Sequence, residues 1–251
     1  MENHTFEQVI GNGEAPYETA LAAQCGTASD YAVVGKPSLP NYIGATSGDI
    51  QEIHDDAPPP SHPIDGDNLF RQVRAAGGTE RSYEESMPAN CGLEAQGMYA
   101  VKHNPAAYYV GGDDRRACQS DNVPLGTLDD GQFRRDLDAN ALPTFSFITP
   151  NLCDDTHDCG VASGDQWLQQ WIPMILASSA YRGGGTAVFV VWDEPTPMPF
   201  IAISPTTQPG TKITKRVDHY ALLRTTESML GIGTYLGGAA SATDLRSALG
   251  L

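Results

Sequence analysis

Two acids in tandem, Asp193-Glu194, stand directly behind the apolar run Thr186-Ala-Val-Phe-Val-Val-Trp192. A β-branched run of this kind, preceded by Gly183-Gly184-Gly185, predicts a strand buried on both faces of a parallel sheet. Ligands gather at the carboxyl ends of such strands. Adjacent carboxylates there repel each other and lose hydration, and a hard divalent cation relieves both costs. The plainer reading is a solvated strand-end turn ahead of Pro195.

A second segment with chemical content is Lys36-Pro-Ser-Leu-Pro-Asn-Tyr42, followed by Thr46-Ser47-Gly48. Pro40 suits the first turn of a helix and would set Ser38 just ahead of that helix's positive end. A serine alkoxide is stabilised there, and more so beside a metal; as bare sequence, Ser-x-Pro also forms simple turns and caps. His103, before Asn104-Pro105, and His157, within Asp154-Asp-Thr-His-Asp158, read on their own as turn and loop residues. His54 and His62 read as surface residues. Asp218-His219 offers a metal pair, but Asp218 opens an apolar helix and capping is the preferred role.

The elements that must position these residues alternate between strand and helix patterns, which places the chain in the α/β class with a mainly parallel sheet. A short turn and helix occupy 5–24, and Asn68–Ala76 reads as a helix stopped by Gly77-Gly78. Ala57-Pro-Pro-Pro-Ser-His-Pro63 must be an exposed loop, since proline lacks the donor and fixes φ. A strand and loop are expected over Tyr99–Val110, a helix over Leu128–Ala141 and a strand over Thr144–Ile148. Trp167, Leu168, Trp171, Ile172, Ile175 and Leu176 make one apolar helix face, with Asp165 as its cap. Ile201–Ser204 is a further short strand.

The length of 251 residues fits one domain, residues 1–251. Fifteen Lys plus Arg against 31 Asp plus Glu give a formal charge of −16, which argues against unassisted binding to nucleic acid or anionic membranes. Of five cysteines, Cys153 and Cys159 enclose a short acidic loop that a disulfide could hold, and Cys91 and Cys118 could form a second bridge, leaving Cys25 unpaired. Bridges imply an oxidising compartment; reduced buried thiols are the alternative. No segment is apolar enough to span a bilayer, and Met-Glu-Asn-His does not read as a signal peptide.

Six segments taken in order resemble the bacterial phosphoesterase family that contains phosphatidylcholine-type phospholipases C and acid phosphatases, a branch of the alkaline phosphatase-like superfamily. They are Glu2-Asn-His-Thr-Phe6, Ser38-Leu-Pro-Asn-Tyr42, Lys102-His-Asn-Pro105, Phe147-Ile-Thr-Pro-Asn151 with Asp154-Asp-Thr-His-Asp158, Ala187-Val-Phe-Val-Val-Trp-Asp-Glu194, and Asp218-His-Tyr-Ala-Leu-Leu-Arg-Thr-Thr-Glu227. The resemblance implies a three-layer fold and hydrolysis of phosphoric esters through a phosphoseryl intermediate. It implies Ser38 as nucleophile, Glu2, Asn3, Asp193 and Glu194 at a divalent metal of unspecified identity, and His103 and His157 lining the site. It further implies a small phosphate ester or phospholipid headgroup as substrate, no nucleic acid, no stable membrane insertion, and a secreted or cell-envelope location.

Two departures accompany it. Family members carry an apolar strand immediately before the Glu-Asn pair, with an export signal further upstream. Here the expectation is a fold lacking its first strand, with Glu2 and Asn3 on a frayed terminus. The segment after Glu194, Pro195-Thr-Pro-Met-Pro199, is also short. These departures support the rival reading, a secreted binding or scaffold protein that keeps the fold without turnover.

Overall fold

The computed structural model describes residues 1–251. In chain order the helices are α1 Phe6–Val9, α2 Pro16–Gln24, α3 Ser38–Ser47, α4 Leu69–Ala75, α5 Asp114–Asp121, α6 Gln132–Asp138, α7 Val161–Ala177, α8 Ser179–Arg182, α9 His219–Met229 and α10 Arg246–Leu249. The strands are β1 Gly26–Ala28, β2 Tyr31–Ala32, β3 Glu80–Glu84, β4 Asn122–Pro124, β5 Phe145–Thr149, β6 Val188–Val191, β7 Phe200–Ile203, β8 Lys212–Ile213 and β9 Val217–Asp218. The class is α/β, with helices layered on sheets and no closed barrel. Four of the six strand pairings are parallel.

The chain forms two compact units. The first comprises residues 1–33, 152–218 and 244–251. Its sheet has the order β6-β7-β1-β8, with β2 and β9 paired beside it. The run 186–192 does form a strand, but it lies at the edge of this sheet and pairs antiparallel with β7, not within a parallel sheet. Val188, Phe189 and Val191 are accordingly only half-buried, while β7, flanked on both sides, is buried throughout. A continuous apolar run identifies a strand but not how many neighbours it has.

In this unit α7 starts at Val161, with Gly160 and not Asp165 as its cap. Asp165 lies inside α7 and caps a different helix: its Oδ1 accepts the Glu18 N–H of α2 at 2.8 Å, and the Tyr17 N–H also bonds it. That chemistry is the expected capping, delivered across the fold to a helix whose own N-cap residue, Ala15, has no side-chain acceptor.

The second unit comprises residues 34–151 and 219–243. Its sheet, β4-β3-β5, is wholly parallel. Leu39, Ile43, Phe70, Tyr99, Val101, Tyr108 and Tyr109 pack into one core against which Phe145 and Phe147 lie. Each such side chain contributes about 1.5–3 kcal/mol of burial. α4 runs as expected, capped by Asn68, whose side chain accepts from the Arg71 N–H. α3 ends at Gly48, at φ 73°, where a Cβ would lie 2.2 Å from the Leu236 carbonyl oxygen; only glycine fits. The expected strand after Tyr99 is instead two 3₁₀ turns, Val101–His103 and Pro105–Ala107, because Pro105 cannot donate to a ladder. The helix expected over 128–141 is confined to α6, which begins after Gly131.

Candidate active site

Residue 1 runs along the free edge of β6: the Met1 amino group donates to the Val191 carbonyl at 3.1 Å and the Asp193 N–H donates to the Met1 carbonyl at 3.1 Å. This pairing sets Glu2-Asn3 beside Asp193-Glu194 at the carboxyl end of the strand. The Glu2 N–H donates to the Asp155 carbonyl at 2.7 Å, and the Thr156 hydroxyl donates to the Glu2 carbonyl at 2.8 Å. Glu2 is 0% exposed. Residues 1 and 2 are therefore held, not frayed, by hydrogen bonds to β6 and to the 153–159 loop. Asn3 adopts φ 60°, the left-handed conformation that asparagine tolerates better than most residues.

The 153–159 loop is closed by the Cys153–Cys159 disulfide, and Cys91–Cys118 forms the second bridge, leaving Cys25 as a thiol. Within the loop Asp155, fully buried, accepts the His157 N–H at 2.8 Å. His157 Nδ1 meets Asp158 Oδ1 at 2.7 Å, which fixes the ring and its tautomer. A carboxylate oxygen of Glu2 and a ring nitrogen of His157 lie within 4.8 Å of each other. Asp193 is 5% exposed and its Oδ1 accepts the Glu194 N–H at 2.7 Å.

In the first unit, then, Glu2-Asn3 and Asp193-Glu194 are neighbours along the backbone at one strand end, with the His157 ring close to the Glu2 carboxylate. Carboxylate oxygens with an imidazole nitrogen are donors that suit a divalent cation. Asp155 was not foreseen as an anchor, although its place between the two cysteines was the available signal. Asp218 ends β9 directly ahead of α9.

Ser38 and His103 belong to the second unit. Ser38 is the first residue of α3, one step further into the helix than expected, and its side chain is 2% exposed. The preceding loop is tied to the helix by Asn41, whose Oδ1 accepts the Val34 and Gly35 N–H groups at 3.0 Å each and whose Nδ2 donates to the Pro37 carbonyl at 3.2 Å. The Leu39 N–H donates to Asp56 Oδ1 at 3.0 Å, while Asp56 Oδ2 takes the Lys102 ammonium at 3.0 Å. Next to Lys102, the buried His103 ring stacks on Tyr42, centroids 5.1 Å apart and planes 12° apart. Tyr42 follows Ser38 by one helical turn, so serine and histidine share one face of α3. His54 is exposed, and His62 meets Asp55 on the surface at 2.6 Å.

The chain belongs to the Phosphoesterase family, whose model matches residues 10–197, and the match makes it a phosphoric ester hydrolase. It is similar to the phosphatidylinositol-3-phosphatase of Mycobacterium tuberculosis, 28% identical over 97% of this chain and 80% of that protein. A probable acid phosphatase of Kluyveromyces lactis is 26% identical over 77% of this chain, and an acid phosphatase of Aspergillus fumigatus 27% over 77%. The chain spans less than half of these two fungal proteins, 46% and 43%. Among solved structures, Ps i-CgsB in complex with k-i-k-neocarrahexaose aligns at a TM-score of 0.62 with 12% identity, covering 98% of this chain and 74% of that one; the likeness is one of fold.

Proposed function

We propose that the protein hydrolyses phosphoric monoesters with a divalent metal and Ser38 as nucleophile. The observation that supports this reading is the strand end of the first unit, where backbone bonds from residues 1 and 2 run to Val191, Asp193 and Asp155 and a His157 ring nitrogen lies within 4.8 Å of a Glu2 carboxylate oxygen. Glu2, Asn3, Asp193 and Glu194 would hold the ion. When bound, it neutralises charge on the phosphoryl group and lowers the pKa of an attacking hydroxyl. The Asn3 amide donates to a phosphoryl oxygen. Ser38 at the positive end of α3 gives its proton to solvent water and attacks phosphorus, and a phosphoseryl ester forms as the bond from phosphorus to the ester oxygen breaks. His103 or His157 supplies the proton that the departing alkoxide needs. Water then hydrolyses the phosphoserine.

The phosphatase names of the three relatives favour a monoester over a diester, and a small ester or a phospholipid headgroup remains the substrate class. Two disulfides favour a secreted or envelope location. No helix is long and apolar enough to cross a membrane.

The test is turnover of p-nitrophenyl phosphate and bis-p-nitrophenyl phosphate across magnesium, calcium, manganese and zinc. Ser38→Ala is expected to lose about a thousandfold or more in kcat, with the monoester preferred. Equal inactivity of both proteins with every metal would favour the scaffold reading.

A further inference from the structure

The first turn of α3, which carries Ser38, has no cap of its own. Pro37 stands at the N-cap position without a side-chain acceptor, and Pro40 has no N–H to give. The acceptor comes from another segment. Asp56, 17 residues beyond Leu39, takes the Leu39 N–H on Oδ1 at 3.0 Å, and Leu39 itself is 0% exposed. Position 39 is thus fixed through both its main chain and its side chain, one residue from Ser38.

Asp56 is itself held. Ile53, ahead of it, lies in the core of the second unit. Behind it, the Ala57 carbonyl accepts from the hydroxyl of the buried Tyr108 at 3.1 Å, and the Ala57 N–H donates to Asp55 Oδ1 at 2.9 Å. A carboxylate presented from so fixed a loop sets the position of the helix start and does not merely follow it.

This arrangement carries an electrostatic cost. A carboxylate at a helix N-terminus stabilises the helix, but it opposes the negative charge that the Ser38 oxygen gains as it attacks. Lys102 answers that charge, since its ammonium donates to Asp56 Oδ2 at 3.0 Å. Each oxygen of the carboxylate has its own partner, and the pair is neutral. With side chains 21% and 29% exposed, Lys102 and Asp56 are only partly screened by water. The 101–103 turn therefore reaches α3 twice, at the first turn by way of Asp56 and at Tyr42 through the stacked His103 ring.

We propose that Asp56 is a positioning residue for Ser38, clamping the first turn of α3 through the Leu39 N–H, and that Lys102 cancels its charge so that the helix end still favours an anion. The role rests on Ser38 being the nucleophile, as proposed above, but the clamp itself is read without turnover.

The experiment compares the wild type, Asp56→Ala, Asp56→Asn, Lys102→Met and the double variant Asp56→Asn/Lys102→Met. It measures kcat and KM on p-nitrophenyl phosphate, and hydrogen exchange at the Leu39 amide by NMR. Asp56→Ala removes the acceptor; kcat is expected to fall about tenfold to a hundredfold with KM nearly unchanged, and Leu39 to exchange at least about tenfold faster. Asparagine keeps an acceptor oxygen without the charge. Asp56→Asn is therefore expected to retain slow exchange and a kcat within about threefold of the wild type. Lys102→Met leaves the carboxylate unanswered beside Ser38, and kcat should drop about tenfold. In the double variant the acceptor stays and the charge is gone, so kcat should recover to that of Asp56→Asn. Two purely structural losses would add instead.

Wild-type turnover and exchange in Asp56→Ala, or a double variant no faster than Lys102→Met, overturns the proposal. An inactive wild type sinks the phosphatase reading, while the Leu39 exchange still decides the clamp. If Asp56→Ala fails to fold, Asp56→Asn, Lys102→Met and their double variant decide alone.

Discussion

Ser38 was legible as a helix-start residue because Pro40 suits a first turn, and as a nucleophile only through the family resemblance. Its holder was not. Asn41 lies in the same motif, yet its three bonds to Val34, Gly35 and Pro37 depend on how the preceding loop folds back, which spacing does not reveal. Asn41→Ala would leave two backbone N–H groups without their acceptor. We expect a loss of about 1–3 kcal/mol in chemical denaturation and a fall in kcat, since the residues leading into Ser38 lose their tether. A variant that melts normally yet turns over normally would show that the Asn41 bonds position nothing. Asp165 teaches the complementary lesson: its capping chemistry was readable, but the helix it caps lies 147 residues away in sequence.

Strands β5 and β6 could be read from their apolar runs, whereas β3 could not. Its sequence, Glu-Arg-Ser-Tyr-Glu, carries charge where a central strand normally carries apolar side chains. The charges are used in partnerships that appear only after folding, Glu80 with Arg74 and Arg81 with Asp136. A close approach between elements sets a further expectation. A Cβ on Gly164 of α7 would lie 2.5 Å from Thr156 Cγ2 and 2.6 Å from Met1 Cε. Alanine would gain up to about 1 kcal/mol of helix propensity, but overpacking costs about 1–3 kcal/mol, and the stiff threonine cannot turn aside. Gly164→Ala should therefore lower the melting temperature and displace the loop that holds Glu2. Reducing the Cys153–Cys159 bridge should act on the same loop; we expect activity to fall before global unfolding, as seen by comparing turnover with circular dichroism after thiol treatment.

Four buried acids give the molecule as a whole a pH dependence. Burial pushes Glu18 and Glu84 up to about 8 and Glu80 and Glu227 up to about 7, from an ordinary value of 4.5. Asp165 raises Glu18 further, and neither Glu18 oxygen accepts a hydrogen bond. Between roughly pH 4.5 and 8 the native state holds more protons than the unfolded chain, so stability is highest on the acid side and declines as pH rises through that window. Thermal melts from pH 5 to 9 should show the decline, and Glu18→Gln should flatten part of it; an unchanged slope would place the dependence elsewhere. The overall charge of −16 adds repulsion in the same direction.

The interleaving of the two units bears on how the chain is made. Every residue of the core around Leu39, Phe70 and Tyr109, including Phe145 and Phe147 packed on it, has been synthesised by the close of β5. By contrast β1 waits for β7 and β8, and α2 waits for its cap from Asp165. Translation therefore allows residues 34–151 to condense early, while residues 1–33 remain uncommitted until the later strands leave the ribosome. The acid at position 2, made before that core, is among the last to find its neighbours.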